Sequence, residues 1–289
     1  MFSSLSCSNC DYVFPPNTIP LPCPNCGSNS FKSDESSQGL SLHISTGRSY
    51  SLSHIQHAAL FSRNSGSIED EFGKDLSGLK FHNDNEAFVT AAIFSTVAFL
   101  ECTMNEFFSD IADGSNTEFS KLYGDEIKEQ INRLWNMDIP RTASYPILKK
   151  YQIALTLCKK ELFNSGDSIY QMVDLLIKLR NYLIHAEPEK ITLFTVGDIE
   201  SHKALYPKLS EGLKGKFPTN KLLENTSSPF FPDKCLGHGC AEWGIKSSLK
   251  FTDEFFARIG IDPPYKSMEN SLETKWEPSV VVVKTLSDS

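Results

Sequence analysis

Apolar residues recur at helical spacing over most of the chain beyond residue 82. From residue 86 to residue 111 no proline or glycine interrupts this pattern, and apolar positions fall on more than one helix face. Such a segment predicts a long, largely buried helix with Asn83 or Asp84 as its N-cap. Further helices are predicted at about 117–137, 146–165, 168–186, 198–213 and 240–259. Helices joined by short loops predict an antiparallel bundle, so the fold class is mainly α.

The segment before residue 82 has a different pattern and is rich in serine and glycine. Leu40, Leu42 and Ile44 alternate with polar residues, and Tyr50 and Leu52 do so again after a Thr-Gly turn. This alternation predicts a small β-hairpin with one buried face. The segments around 62–67 and 77–78 combine serine with glycine, which predicts loops. We therefore expect the helical domain to begin near residue 80.

Four of the eight cysteines form two Cys-x-x-Cys pairs, Cys7 with Cys10 and Cys23 with Cys26, separated by twelve residues. Gly27 follows the second pair and lets the backbone turn tightly. Four thiolates at this spacing predict a tetrahedral zinc site, with disulfide bonds as the alternative. Because four thiolates leave no open coordination position, the zinc is expected to be structural.

A second group of metal-binding residue types occurs near the carboxyl end. Cys235, His238 and Cys240 offer three soft ligands within six residues. A fourth ligand is not evident, and His202 is the nearest candidate. The alternative interpretation is a tight glycine turn with packed thiols.

These patterns divide the chain into five segments. Residues 1–35 are predicted to form a zinc ribbon and residues 36–81 a linker with the β-hairpin. Residues 82–190 form the helical bundle, and residues 191–262 form a helical extension packed on it. Residues 263–289 are expected to be a loosely ordered tail.

Composition is that of an ordinary globular protein, with 289 residues of which 40% are hydrophobic and 22% charged. The net charge of -8 argues against nonspecific binding to nucleic acid. Between residues 141 and 180, however, there are seven basic residues and only three acidic ones. This excess predicts either a local positive patch or a solvated helix face. We find no secretory or membrane-spanning segment and expect a cytoplasmic protein.

Three polar residues stand out near the end of the apolar helix predicted at 168–186. Asn181 and His185 are one turn apart and about 40° apart around the helix axis. Arg180 lies about 140° from His185, so only its long side chain could bring its charge to the same point. An imidazole that transfers protons near neutral pH and a guanidinium that binds phosphate suit a phosphodiester substrate.

A carboxylate and an amide interrupt an apolar stripe on the helix predicted from residue 83. Glu101 and Asn105 lie one turn apart on that stripe, where unpaired polar groups are costly. Either Glu101 reaches solvent at a helix edge, or the two side chains hold Arg180 or His185 in place. We favour the second interpretation.

The residues Arg180-Asn181-x-x-x-His185 resemble the R-x4-6-H signature of the HEPN superfamily, all-α domains that include many metal-independent ribonucleases. The resemblance covers residues 82–190. It implies that His185 acts as general base on the ribose 2′-OH or as acid on the 5′-oxygen. Arg180 would stabilise charge on the phosphate, and Asn181 would orient the substrate. No metal is required for this catalysis.

The same resemblance implies a homodimer with a composite active site and the setting of a bacterial toxin or anti-phage defence factor. The expected substrate is RNA, such as a tRNA loop, and a silencing partner protein is implied. Some toxin members carry a tyrosine two residues after the histidine, whereas this chain has Glu187. The alternative is a noncatalytic HEPN-like adaptor in which Arg180 pairs with Glu101 and the ribbon is a binding module.

Overall fold

The computed structural model describes residues 5–14, 22–28, 30–33, 49–74, 76–112, 123–141, 145–185 and 207–275. The chain divides into two compact units, Met1–Arg48 and Ser49–Ser289. The second unit is almost entirely helical in its described residues, so the predicted mainly α fold is confirmed.

The first unit contains a short antiparallel strand pair. β1 (Leu5–Cys7) pairs with β2 (Phe31–Ser33), and Cys7 lies opposite Phe31. The buried hydrophobic residues described here are Cys7, Phe14 and Cys23. These three residues supply little hydrophobic stabilisation, and units of fewer than about 50 residues usually depend on a metal or on disulfides.

The second unit is built from seven α-helices in the described residues. They are α1 (Tyr50–Phe72), α2 (His82–Ala112), α3 (Asp125–Asn136), α4 (Ile147–Leu157), α5 (Ser168–His185), α6 (Pro207–Leu213) and α7 (His238–Ile259). Shorter 3-10 turns lie at Leu76–Phe81, Lys221–Leu223 and Lys266–Leu272. The helices α2, α5 and α7 begin within two residues of their predicted starts.

The helices α1 and α2 form the most extensive helix pair and run antiparallel. The start of α1 meets the end of α2, where the Glu106 carboxylate accepts hydrogen bonds from the Ser51 backbone N–H (2.9 Å) and hydroxyl (2.5 Å). At the opposite end the Asn85 amide donates to Glu69 (3.1 Å). The helix α7 packs against α1, α2 and α5 and contributes buried aromatic residues to the core.

Glu69 is a buried carboxylate that joins three parts of the helical unit. Its Oε1 atom accepts hydrogen bonds from the His238 backbone N–H at 2.7 Å and from Asn85. Its Oε2 atom accepts from the Lys221 backbone N–H at 3.4 Å. Because the His238 N–H belongs to the first residue of α7, the carboxylate satisfies an otherwise free donor at a helix start.

The prediction of a linker with a β-hairpin over residues 36–81 is wrong for its second half. Tyr50 and Leu52 belong to α1, and the strand predicted around residues 40–44 lies outside the described residues. The loop predicted at 62–67 is also helical. Ser62, Ser65 and Gly66 are buried in α1, where small side chains permit close helix packing. Tertiary packing therefore overrides a weak local propensity.

Two other boundaries differ from the prediction. The helix predicted to end at residue 165 ends at Leu157, and Lys159, two residues further on, adopts a positive φ of 55° that cannot continue a right-handed helix. The described residues after α7 pack against the helical unit, contrary to the loosely ordered tail predicted from residue 263. Tyr265, Leu272 and Thr274 are buried there.

One helical stretch, Gly78–Ala112, is long and apolar enough to cross a membrane, with a mean hydropathy of 1.7 in its most apolar window. The sequence interpretation found no such run, because polar residues are interspersed within it. Half of that window is buried inside the protein. Contacts of α2 with α1, α3 and α7 account for this burial, as expected for a central core helix.

Candidate functional site

The structure brings the four predicted zinc ligands together. The Sγ atoms of Cys7, Cys10, Cys23 and Cys26 all lie within 4.8 Å of one another. Two of the separations are 3.6 Å (Cys7 to Cys26) and 3.7 Å (Cys10 to Cys23). A tetrahedral zinc with Zn–S bonds of about 2.3 Å requires sulfur separations of about 3.8 Å. The distances exceed the S–S bond of about 2.05 Å found in a disulfide.

The two cysteine pairs have the same backbone hydrogen bonds. In each, the N–H of the first cysteine donates to the carbonyl five residues later. These bonds are Cys7 to Tyr12 at 2.8 Å and Cys23 to Ser28 at 2.9 Å. Each first cysteine also accepts, through its carbonyl, from the N–H four residues later, at 3.0 Å and 2.8 Å. The pairs are therefore two copies of one turn, and each turn presents two thiols on the same side.

The fourth residue after each first cysteine has the left-handed backbone conformation that this turn needs. Asp11 has a φ of 55° and Gly27 a φ of 70°. Glycine adopts this conformation freely, and aspartate is among the few other residues that tolerate it. The glycine of the second pair is readable in the sequence, whereas the equivalent role of Asp11 is not.

The thiols of this cluster have opposite pKa shifts. Hydrogen bonds from the Asn25 side chain and the Tyr12 backbone lower the pKa of Cys10 to about 6. The Ser28 backbone also favours the thiolate of Cys26, but the adjacent Cys10 and burial raise its pKa to about 11. Four thiolates this close repel one another, so a cation is needed to keep all of them deprotonated. The donor set therefore fits a divalent metal ion.

A second candidate site lies on α5 and contains two of the three motif residues. Asn181 and His185 are both exposed and line a cleft of about 660 Å³. The other side of the cleft is formed by the first residues of α6. The complete lining in the described residues is Leu175, Lys178, Asn181, Tyr182, His185, Pro207, Lys208 and Leu209.

Arg180 does not line this cleft. It is half-buried, and its Cα lies about 140° around α5 from that of His185. Because Arg180 is not among the residues that line the cleft, its convergence with His185 stays a prediction. Arg180 shares its face with Ile184, whose side chain is 49% exposed.

Two lysines also line the cleft. Lys178 is one of the seven basic residues between 141 and 180 that predicted a possible positive patch, whereas Lys208 was not selected from the sequence. Lys178 lies seven residues before His185, about 20° from it around the helix, and pairs with Asp174 at 2.6 Å. This spacing was a readable signal. Lys208 comes from α6, and no local pattern connects it to the motif. It has no ion-pair partner among the described residues.

Glu101 and Asn105 have a different partner from the one predicted. The ammonium of Lys150, on α4, donates to Glu101 Oε1 at 3.0 Å and to Asn105 Oδ1 at 3.2 Å. In the described contacts these two side chains therefore hold Lys150, and not Arg180 or His185 as expected. The same contact replaces the Arg180–Glu101 ion pair of the adaptor interpretation. Lys150 is fully buried and cannot contribute to a positive surface patch.

The weak metal candidate near the carboxyl end is packed into the core. Cys235 and Cys240 are fully buried, and burial together with the neighbouring Cys235 thiol raises the pKa of Cys240. The ring of His238 interacts through Nδ1 with the Ser62 carbonyl at 2.9 Å. In the described residues only the four amino-terminal cysteines form a group with metal-binding geometry, and His202 lies outside them.

Comparisons with known proteins give no significant match. No family model, curated protein or solved structure matches this chain significantly.

Proposed function

We propose that this chain is a metal-independent endoribonuclease of HEPN type whose reaction takes place in the α5–α6 cleft. The observation that carries the proposal is the pairing of exposed Asn181 and His185 in one cleft with Lys178 and Lys208. An exposed imidazole can accept or release a proton, and Lys208, which has no ion-pair partner among the described residues, supplies positive charge for a phosphate.

The proposed reaction is attack of the ribose 2′-oxygen on the adjacent phosphorus. The O2′–P bond forms and the P–O5′ bond breaks, which leaves a 2′,3′-cyclic phosphate and a 5′-hydroxyl. One imidazole accepts the 2′-OH proton, and a second acid gives a proton to the 5′-oxygen. Asn181 lies one turn from His185 and would orient the ribose or the scissile phosphate.

A homodimer would account for the position of Arg180 and would also supply the second acid. Arg180 does not line the cleft of its own chain, and the neighbouring Ile184 presents apolar surface that a second copy would cover. In this arrangement Arg180 would serve the composite site from across the interface. His185 of the second copy would be the second acid.

The test is cleavage of total RNA and tRNA by purified protein in excess EDTA, with zinc content measured before and after. We expect His185→Ala and Arg180→Ala to abolish cleavage. His57→Ala, which removes an exposed histidine of α1, should retain it. Products should carry 2′,3′-cyclic phosphate ends. Cleavage that persists in the His185 variant would refute the assignment.

The second candidate is a noncatalytic adaptor that binds its partner through the amino-terminal unit. The position of Arg180 outside the cleft favours it, because the site of a single chain is incomplete. A dimeric, zinc-loaded protein that cleaves no RNA would support this candidate.

For the proposed toxin or defence role in the cytoplasm, expression of the wild type but not of His185→Ala should arrest bacterial growth.

We further propose that the four-cysteine cluster binds one structural Zn²⁺. Four thiolates in tetrahedral arrangement are the preferred donor set of structural zinc. Metal analysis should give one zinc per chain, and Cys26→Ser should reduce this occupancy. Cobalt substitution should give an intense thiolate-to-metal charge-transfer absorption.

A further inference from the structure

A second cavity of about 320 Å³ lies between α5, α7 and the segment that follows α6. Its lining combines three lysines with two aromatic rings, a combination absent from the cleft at His185. The residues are Met172, Lys216, Phe217, Pro218, Gly239, Glu242, Trp243, Lys246, Ser247 and Lys250.

The charges of this cavity are not balanced. Lys246 pairs with Glu242 at 2.8 Å, and the same carboxylate accepts a hydrogen bond from the Thr274 hydroxyl at 2.9 Å. Lys216 and Lys250 are exposed and have no carboxylate partner among the described residues. The cavity therefore carries two uncompensated positive charges, which favour an anionic ligand.

The aromatic pair gives this cavity a surface for a planar ring. Phe217 is half-buried and packs on Trp243 with their ring centroids 5.3 Å apart. Trp243 is 9% exposed, and its Nε1–H has no acceptor among the described residues. Buried donors without an acceptor are rare and call for an explanation, such as a ligand or a water molecule.

The cavity is also close to the proposed catalytic cleft. The helix α6 packs on α5, since a Cβ at Gly212 would lie 2.9 Å from Leu175. The cleft adjoins the first residues of α6, and the second cavity adjoins the residues just after its end. Seven helical residues span about 10 Å, roughly the length of three stacked nucleotides.

We infer that this cavity binds single-stranded RNA, with a phosphate on Lys216 and Lys250 and a base against Phe217. The combination of a basic groove with aromatic stacking is the usual way in which proteins hold single-stranded nucleic acid. This inference rests on the proposed ribonuclease function, because it identifies a second binding position for the same substrate.

The experiment measures binding without cleavage. The probe is a fluorescein-labelled 2′-O-methyl oligoribonucleotide, which has no free 2′-OH to react, and anisotropy is recorded over a series of salt concentrations. Lys216→Ala/Lys250→Ala should weaken binding by about tenfold and reduce the salt slope by about 1.4, or about 0.7 for each lysine that no longer neutralises a phosphate. Phe217→Leu should weaken binding at least about fivefold with the salt slope unchanged.

The matched control is Lys74→Ala/Lys80→Ala, which removes the same charge from exposed lysines elsewhere in the helical unit and should bind like wild type. Circular dichroism checks that each variant is folded. Equal binding by the cavity variants and the control would overturn the inference. Absence of binding by the wild type would overturn it as well. Neither result depends on cleavage, so the ribonuclease assay remains a separate test of the proposed function.

Discussion

The buried ion pair between Lys150 and Glu101 allows a sharp prediction about stability, because its two partners differ in burial. The Lys150 side chain is 0% exposed, whereas that of Glu101 is 30% exposed. At their separation of 3.0 Å, and with an effective dielectric constant of about 20, the attraction is about 5 kcal/mol before desolvation is subtracted. The ammonium depends on this attraction because it has no access to water.

Removing the carboxylate should therefore cost more than removing the ammonium. Glu101→Gln leaves a buried ammonium with only amide oxygens, and we expect a loss of about 3 kcal/mol in the free energy of unfolding. Lys150→Met retains most of the apolar stem and leaves a carboxylate that water can reach, so its cost should be about 1 kcal/mol. Added to Lys150→Met, Glu101→Gln should cost little more, because its charged partner is already gone.

Urea unfolding followed by far-UV circular dichroism measures these differences at neutral pH. The control is Lys149→Met at the adjacent exposed lysine, which should change stability by less than about 0.5 kcal/mol. If Lys150→Met destabilises the protein as much as Glu101→Gln does, burial does not determine the energy of this pair and the explanation is wrong.

Three other perturbations test separate features. Gly237→Ala should cost about 2–3 kcal/mol, because its Cβ would lie 2.6 Å from Asn220 Cα and 2.8 Å from Glu69 Oε1. Gly124→Ala, with nothing within 4 Å, should cost less than about 1 kcal/mol in the same unfolding assay. Cys102 should alkylate slowly at pH 8, because burial and the nearby Glu106 raise its pKa from 9.0 to about 11. Its rate, followed by mass spectrometry, should rise about tenfold for each pH unit up to that value, and a plateau near pH 9 would contradict this. Chelation of any metal bound by the four-cysteine cluster should leave the helical circular dichroism signal nearly unchanged, since all seven described helices belong to Ser49–Ser289. A large loss of helix would show that the helical unit depends on the metal.

The parts of the fold that could be predicted are those in which local pattern and tertiary environment agree. The helices α2, α5 and α7 have sustained apolar periodicity, and the four cysteines have the spacing of a four-thiolate metal site. The first helix was missed because Ser62, Ser65 and Gly66 favour loops in isolation. In the folded chain Gly66 is closely packed, since a Cβ there would lie only 3.1 Å from the His238 ring, and the hydroxyls of Ser62 and Ser65 contact His238 and Asn85.

The polar contacts of the candidate site could be predicted only in part. The pattern around Glu101 and Asn105 indicated that both needed a partner. The sequence offered Arg180 and His185 for that role, and the structure uses Lys150, one of the basic residues expected at the surface. Helical geometry was a better guide on α5, where Asn181 and His185 line one cleft as their spacing predicts and Arg180 does not line it. Lys208 could not be found, because only the tertiary packing of α6 brings it to the cleft.

The carboxylate of Glu69 also has a consequence for the order in which the chain can become folded during synthesis. Two of the three groups that donate hydrogen bonds to it are the backbone N–H groups of Lys221 and His238. His238 lies 169 residues beyond Glu69 in the chain. At 5–20 residues per second, a ribosome needs roughly 10–30 seconds to make that stretch. During this interval α1 and α2 can pair, but the face that α7 covers stays open to water. We therefore expect the nascent chain to depend on chaperones until α7 has left the ribosome.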